Sequence, residues 1–293
     1  MKSRALLLTT AIIWGLAFVA QRDGMQYVQP FTFNGVRFAL GFLVLIPFGL
    51  FNRNEPIQTN RRTLVLGGFA TSIILFIAAS LQQIGVAYTT AGKAGFITGL
   101  YVILVPIVGI VLKHRIGWLT WLSALVGVVG LYLLTVTESF TIEYGDFVVL
   151  IGAFFWTAHV HMIAHFASRI GAIRLSLIQI AICSLLSLGT AFAFETVRID
   201  DLLAGAIPIL YAGIMSVGIA YTFQVIGQQG TPPTQAALIL CLETVFAVLG
   251  GWWLLGETLP LRGLIGCGLM FVGMVVSQFD IPTLEKSDGK GSN

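Results

Sequence analysis

Runs of about twenty apolar residues recur along this chain, and that spacing leaves few folds open to it. A helix rises ~1.5 Å per residue, so about 20 apolar residues are the length that crosses a bilayer core. By that measure ten spans are expected, near 4–20, 30–51, 64–87, 93–112, 117–136, 146–167, 172–194, 203–224, 234–254 and 261–279. Hydrophobic residues make up 57% of the 293 and charged ones 10%, with a mean hydropathy of +0.91. Ordinary soluble domains carry about a quarter charged residues, so the chain reads as an all-α polytopic membrane protein. The connectors are short, and only 52–63 is long and polar. The tail, 283–293, is polar and Gly- and Ser-bearing, and is expected to be disordered.

The opening MKSRALLLTTAIIWGLAFVA imitates a secretory signal, with a basic start, an apolar run and small residues near Ala20. Nine further apolar runs follow and the segment has an echo downstream, so it is taken as span one. Lys and Arg in short loops set orientation. With the N-terminus inside, cytoplasmic segments hold eleven of the sixteen basic residues, including Lys2, Arg4, Arg61, Arg62, Arg169 and Arg174. The opposite side holds Arg22, Lys93, Arg198 and Arg262, and Arg37 lies within a span. Both termini are therefore expected in the cytoplasm. The basic residues form no patch, so no nucleic-acid partner is indicated. Cys183, Cys241 and Cys267 lie inside apolar runs without paired spacing, and neither a disulfide framework nor a metal site follows from them.

The chain also repeats itself. The stretch Gly92–Leu112 recurs at an offset of 142 as Thr234–Leu254, with Ala94, Ile97, Leu100 and Leu112 meeting the identical Ala236, Ile239, Leu242 and Leu254. Trp14 maps to Trp156, Leu43 to Leu185, and Gln82-Gln83-Ile84-Gly85 to Gln224-Val225-Ile226-Gly227. The two copies, 1–140 and 141–282, hold five spans each. An odd number sends the second copy into the bilayer upside down, so two inverted five-helix repeats are expected around a central cavity. Two halves of opposite topology can exchange conformations and open one site to each face in turn, a property a transporter needs.

Candidate residues are polar or aromatic groups at depth. Glu243, the counterpart of Tyr101, sits near the middle of span nine, where a charge costs roughly 2.5–3.5 kcal/mol on insertion scales. It must face a cavity, find a partner or be protonated. As a functional group it is a ligand for a substrate amine or a proton carrier; otherwise it is a neutral carboxyl bonding a neighbouring helix. Trp14 and Trp156 fall mid-span rather than at the interface, and should approach each other across the two-fold, where they flank a cavity or simply fill the core. Gln82 and Gln224 need partners, because an unpaired amide in hydrocarbon costs several kcal/mol; another helix, water or substrate would serve. Tyr101 and Tyr221 add amphipathic handles. His159, three residues after Trp156, is a candidate for binding or proton sensing, as against a packing histidine. His161 and His165 have i,i+4 spacing but no carboxylate beside them in the span, so no metal and no cofactor is indicated. Arg37 reads as a side chain that snorkels to the outer surface. Gly95 with Gly99, Gly127 with Gly130, and Gly263 with Gly266 have spacings that allow close helix approach.

Residues 14–42, WGLAFVAQRDGMQYVQPFTFNGVRFALGF, and 241–257, CLETVFAVLGGWWLLGE, resemble signatures of the EamA-type branch of the drug/metabolite transporter superfamily. The resemblance spans essentially the whole chain, with Glu257 closing span nine. It implies a basket of helices whose central cavity is walled by spans one, three, four, six, eight and nine, which takes in every candidate except Arg37. It also implies a bacterial inner-membrane location and a small-molecule substrate, many members exporting amino acids or related metabolites. One departure stands out. Relatives often carry Pro directly after the span-nine Glu, where this chain has Thr244, so a proline-dependent kink there is in doubt.

The reading is thus an exporter, not an enzyme, since no HExxH, nucleophile elbow or paired acidic motif is present. Its expected substrates are amino acids with apolar or aromatic side chains, moved by alternating access and bound through Trp14, Gln82, Tyr101, Trp156, His159, Tyr221, Gln224 and Glu243. The alternative is efflux of organic cations or drugs, which Glu243 and the rings would also favour. Monomer and homodimer both fit.

Overall fold

The computed structural model describes residues 2–51, 60–113, 116–135, 143–256, 261–277 and 279. The expected disordered tail, Glu257 and most of the polar 52–63 connector lie outside them. The chain is an all-α polytopic membrane protein. Among the described residues eight helices are long and apolar enough to cross a membrane: α1 (Lys2–Gly24), α2 (Pro30–Phe51), α3 (Arg61–Tyr88), α4 (Ala91–Val111), α6 (Tyr144–Ile170), α7 (Ala172–Phe194), α8 (Ala206–Gln229) and α9 (Pro233–Leu254). Two further apolar helices, α5 (Trp118–Thr135) and α10 (Leu261–Ser277), are shorter, and each adjoins residues outside the described set.

Local chemistry sets the boundaries. Asn60 accepts a hydrogen bond from Thr63 N at 2.8 Å to cap α3, and Thr90 does the same for Lys93 N at 3.2 Å in α4. Glu143 and Asp146 form a reciprocal capping box on α6. Gly171, at φ 93°, turns the chain between α6 and α7 in a conformation other residues rarely adopt. Pro30 and Pro233 open α2 and α9 where no intrahelical N–H is needed. Glu195, just past α7, accepts bonds from the free amides of Phe31 and Thr32 at 2.8 and 2.6 Å, tying the start of α2 to the end of α7.

Helix contacts come in pairs related by the offset of 142. The α2 helix packs on its own counterpart α7, and α5 on α10; α3 packs on α6 as α8 does on α1, and α1 on α9 as α6 does on α4. Small residues make the closest crossings. A Cβ on Gly85 would lie 2.8 Å from Gly145 O, one on Gly227 2.9 Å from Ser3 O, and one on Gly130 2.6 Å from Gly266 O.

Three helices depart from the expected uniform spans. The α4 helix is interrupted at Leu100 and α9 at Cys241–Leu242. Both breaks tighten into i→i+3 bonds, Leu100 N to Ile97 O and Leu242 N to Ile239 O, each at 3.2 Å. Leu100 and Leu242 are repeat mates, so the pinch occurs in both copies without a proline at either. Thr244, standing where relatives carry Pro, instead donates its hydroxyl to Gly95 O at 2.9 Å, bonding α9 to α4. The third departure is unilateral: Tyr211–Ala220 within α8 is π-helical, whereas the equivalent part of α3 is a regular α-helix.

Candidate functional site

Tyr101 and Glu243 each begin the second half of an interrupted helix, immediately after the pinch. The two mates meet, with Tyr101 Oη donating to Glu243 Oε1 at 3.2 Å. Beside them the mates Gly99 and Cys241 are also in contact, Cys241 Sγ lying 3.5 Å from Gly99 O.

These residues border an internal cavity of about 30 Å³. Its aromatic wall comes from both copies: Trp14 and Trp156 lie 6.4 Å apart between ring centroids, and Tyr221 sits 4.8 Å from Trp14 and 6.2 Å from Trp156. Trp14 Nε1 donates to Ser216 O in the π-helical segment at 3.4 Å. Gln82 and Gln224 also line it, Gln82 donating to Gln21 Oε1 at 3.1 Å. The volume admits little more than one water, far below the ~300–1,000 Å³ of pockets that enclose drug-sized ligands. As it stands the cavity is too small to enclose a drug-sized ligand.

Seven of the eight expected site residues line this one cavity: Trp14, Gln82, Tyr101, Trp156, Tyr221, Gln224 and Glu243. The exception is His159, which stands behind the wall. Fully buried, it packs edge-on to Trp156 at 5.7 Å, and its Nε2 lies 2.9 Å from Gln179 Oε1. His161 Nε2 lies 3.0 Å from the Val105 carbonyl, and His165 contacts Arg169. Among the described residues no three metal-ligating side chains cluster.

Arg37 corrects the sequence reading. It does not snorkel: it is 1% exposed and lines the cavity, bringing α2 into a wall expected from six other spans. Its guanidinium lies over the rings of Phe33 and Phe38 at 5.6 and 5.1 Å, and Nε donates to Asn34 Oδ1 at 2.9 Å. Asn34, three residues before it on the same helix face, was the available signal, since two polar residues i,i+3 on one apolar span mark a face turned from lipid. Gln21, Thr98 and Ser216 also line the cavity, and nothing in the sequence sets them apart. Gln21 falls just past the apolar run of span one, next to Arg22, and reads as loop; Thr98 and Ser216 are too common in apolar helices to be singled out.

The EamA-like transporter family matches this chain twice, over residues 1–136 and 143–278. An uncharacterized transporter of Archaeoglobus fulgidus is 30% identical over 271 residues, covering 92% of this chain and 83% of that protein. The uncharacterized transporter YoaV of Bacillus subtilis is 23% identical, covering 93% of this chain and 95% of its own. The uncharacterized inner membrane transporter YedA of Escherichia coli K12 is 22% identical, covering 90% and 87%. One crystal structure shares the fold with a TM-score of 0.75 at 18% identity, covering 94% of this chain and 96% of that one.

Proposed function

The chain belongs to the EamA-like transporter family and is a multi-pass membrane transporter, and from that premise we propose that it exports amino acids with apolar or aromatic side chains by alternating access. The membrane is the inner membrane, with both termini cytoplasmic. The observation that carries this reading is Glu243, a carboxylate buried at a helix pinch and bordering a cavity walled by Trp14, Trp156 and Tyr221. A carboxylate held there receives an ammonium, and the rings receive an apolar side chain.

Alternating access is supported by contacts at the two ends of the bundle. At one end Lys93 Nζ lies 3.6 Å from Asp146 Oδ2, joining α4 to α6, and Thr89, at the end of α3, donates to Asp146 Oδ1 at 2.6 Å. At the other end Arg4 donates to Gln235 Oε1 at 3.5 Å, joining α1 to α9. These pairs are mates: Arg4 corresponds to Asp146 and Gln235 to Lys93 at the offset of 142. Each repeat interface thus has a latch, one at either face, and an inverted pair of repeats can release one while holding the other. With the N-terminus inside, the Lys93–Asp146 latch is the outer one and the Arg4–Gln235 latch the inner one.

Uptake of radiolabelled phenylalanine, leucine and glutamate into proteoliposomes, with and without a pH gradient, tests the reading. Saturable uptake of phenylalanine and leucine is expected, reduced at least about tenfold in Glu243→Gln. Absence of amino-acid uptake by folded protein that carries ethidium or tetraphenylphosphonium would replace amino-acid export with organic-cation efflux.

A further inference from the structure

We propose that Arg37 is the residue that binds the substrate's carboxylate, so that the transporter selects compounds bearing an anionic and a cationic group together. This rests on the cavity being the substrate site. A fully buried guanidinium in a membrane span is expensive and normally finds a carboxylate partner. Arg37 has none: among the described residues the ion pair within 4.0 Å is Lys93 with Asp146, and Glu243 bonds Tyr101 instead. Phe33 and Phe38 cover it, and Asn34 accepts from Nε while its own amide donates to Ala79 O on α3 at 3.1 Å, which fixes the angle of the fork. Arg37 Nη2 is buried without a hydrogen-bond partner, and the residue lines the cavity.

The fold does not require the charge. The mate of Arg37 is Gln179 in α7, a neutral amide whose oxygen lies 2.9 Å from His159 Nε2. The equivalent position thus packs without an ion, and the cation in the first copy is an addition matched by an anion, Glu243, in the second. An arginine fork presenting free N–H groups to a cavity suits a carboxylate, whose two oxygens accept in its plane. The ligand that satisfies both charges is a zwitterion.

The test compares L-phenylalanine with phenethylamine, the same molecule without its carboxylate, in proteoliposomes of the wild type, Arg37→Gln and Arg37→Lys. The wild type should carry phenylalanine and take phenethylamine at least about thirtyfold less well, a charge-assisted bidentate contact being worth that or more. Arg37→Gln should raise the KM for phenylalanine at least about tenfold and abolish the preference between the two compounds, with Arg37→Lys intermediate. Size-exclusion profiles confirm that the variants fold, and the wild-type comparison needs no variant. Equal transport of both compounds by the wild type, or a preference that survives Arg37→Gln, would overturn the assignment of Arg37 while leaving amino-acid export intact. Saturable transport of neither compound would overturn both.

Discussion

Tyr101 and Glu243 occupy equivalent positions and touch, so the chemistry of one can be read against the other. Glu243→Gln keeps shape and hydrogen-bonding capacity but removes the charge. Bonds to ionised groups contribute ~1.5–3 kcal/mol, so about a tenfold to hundredfold loss of kcat/KM for phenylalanine is expected in proteoliposome uptake. Tyr101→Phe removes a single 3.2 Å bond to that carboxylate, and should cost a smaller factor, roughly three- to tenfold. A Tyr101→Phe loss as large as that of Glu243→Gln would mean that the phenol, and not the carboxylate, carries binding. At this scale the sequence was informative where a polar or aromatic residue interrupts a hydrocarbon-length run, as Glu243, Trp14 and Trp156 do. It misled at Arg37, because a long basic side chain can reach water from seven residues inside a span and only the packing of Phe33, Asn34 and Phe38 shows that this one does not.

Helices meet here through glycines, and the consequences of filling them differ by site. A Cβ on Gly15 would lie 2.7 Å from Glu243 O and 2.8 Å from Ala247 N, against the backbone of α9 beside the site. Gly15→Ala must push α1 from α9, and overpacking of this kind typically costs ~1–3 kcal/mol. A lower thermal midpoint and reduced transport are expected together. Gly189 in α7 has nothing within 4 Å of an added Cβ, so Gly189→Ala should leave transport unchanged and hold or raise the midpoint, alanine being favoured over glycine in a helix by up to ~1 kcal/mol. A fall in both variants would point to backbone effects other than close approach at the helix crossings. The long apolar helices were legible because apolar length is set by the bilayer. The pinches at Leu100 and Leu242 and the π-helical turn of α8 were not. Each depends on which neighbouring helix accepts the diverted polar groups, as Gly95 accepts Thr244, and an apolar run carries no record of that.

The repeat organises the whole molecule and also marks where its halves differ. Removing the charge at the Lys93 and Asp146 latch should shift the balance between its two end states. The Lys93 side chain is 38% exposed, which limits such a pair to about 1 kcal/mol, equivalent to roughly a fivefold change in the population ratio. Asp146→Asn should therefore lengthen distances between spin labels on the ends of α4 and α6 that carry Lys93 and Asp146, and an unchanged distribution would remove the latch from the mechanism. The repeat was visible in the sequence through costly matches such as Trp14 with Trp156, whereas the meeting of mates at the centre required the folded chain. The two copies also differ in what they bring to the cavity, Arg37 from the first and Glu243 from the second. While Glu243 is ionised, these charges sum to zero, and a zwitterion adds none. Under the proposed zwitterion transport the loaded carrier then moves no net charge, so the membrane voltage neither drives nor resists the step. A potassium diffusion potential imposed with valinomycin should leave phenylalanine flux unaltered, and the concentration gradient alone would set its direction.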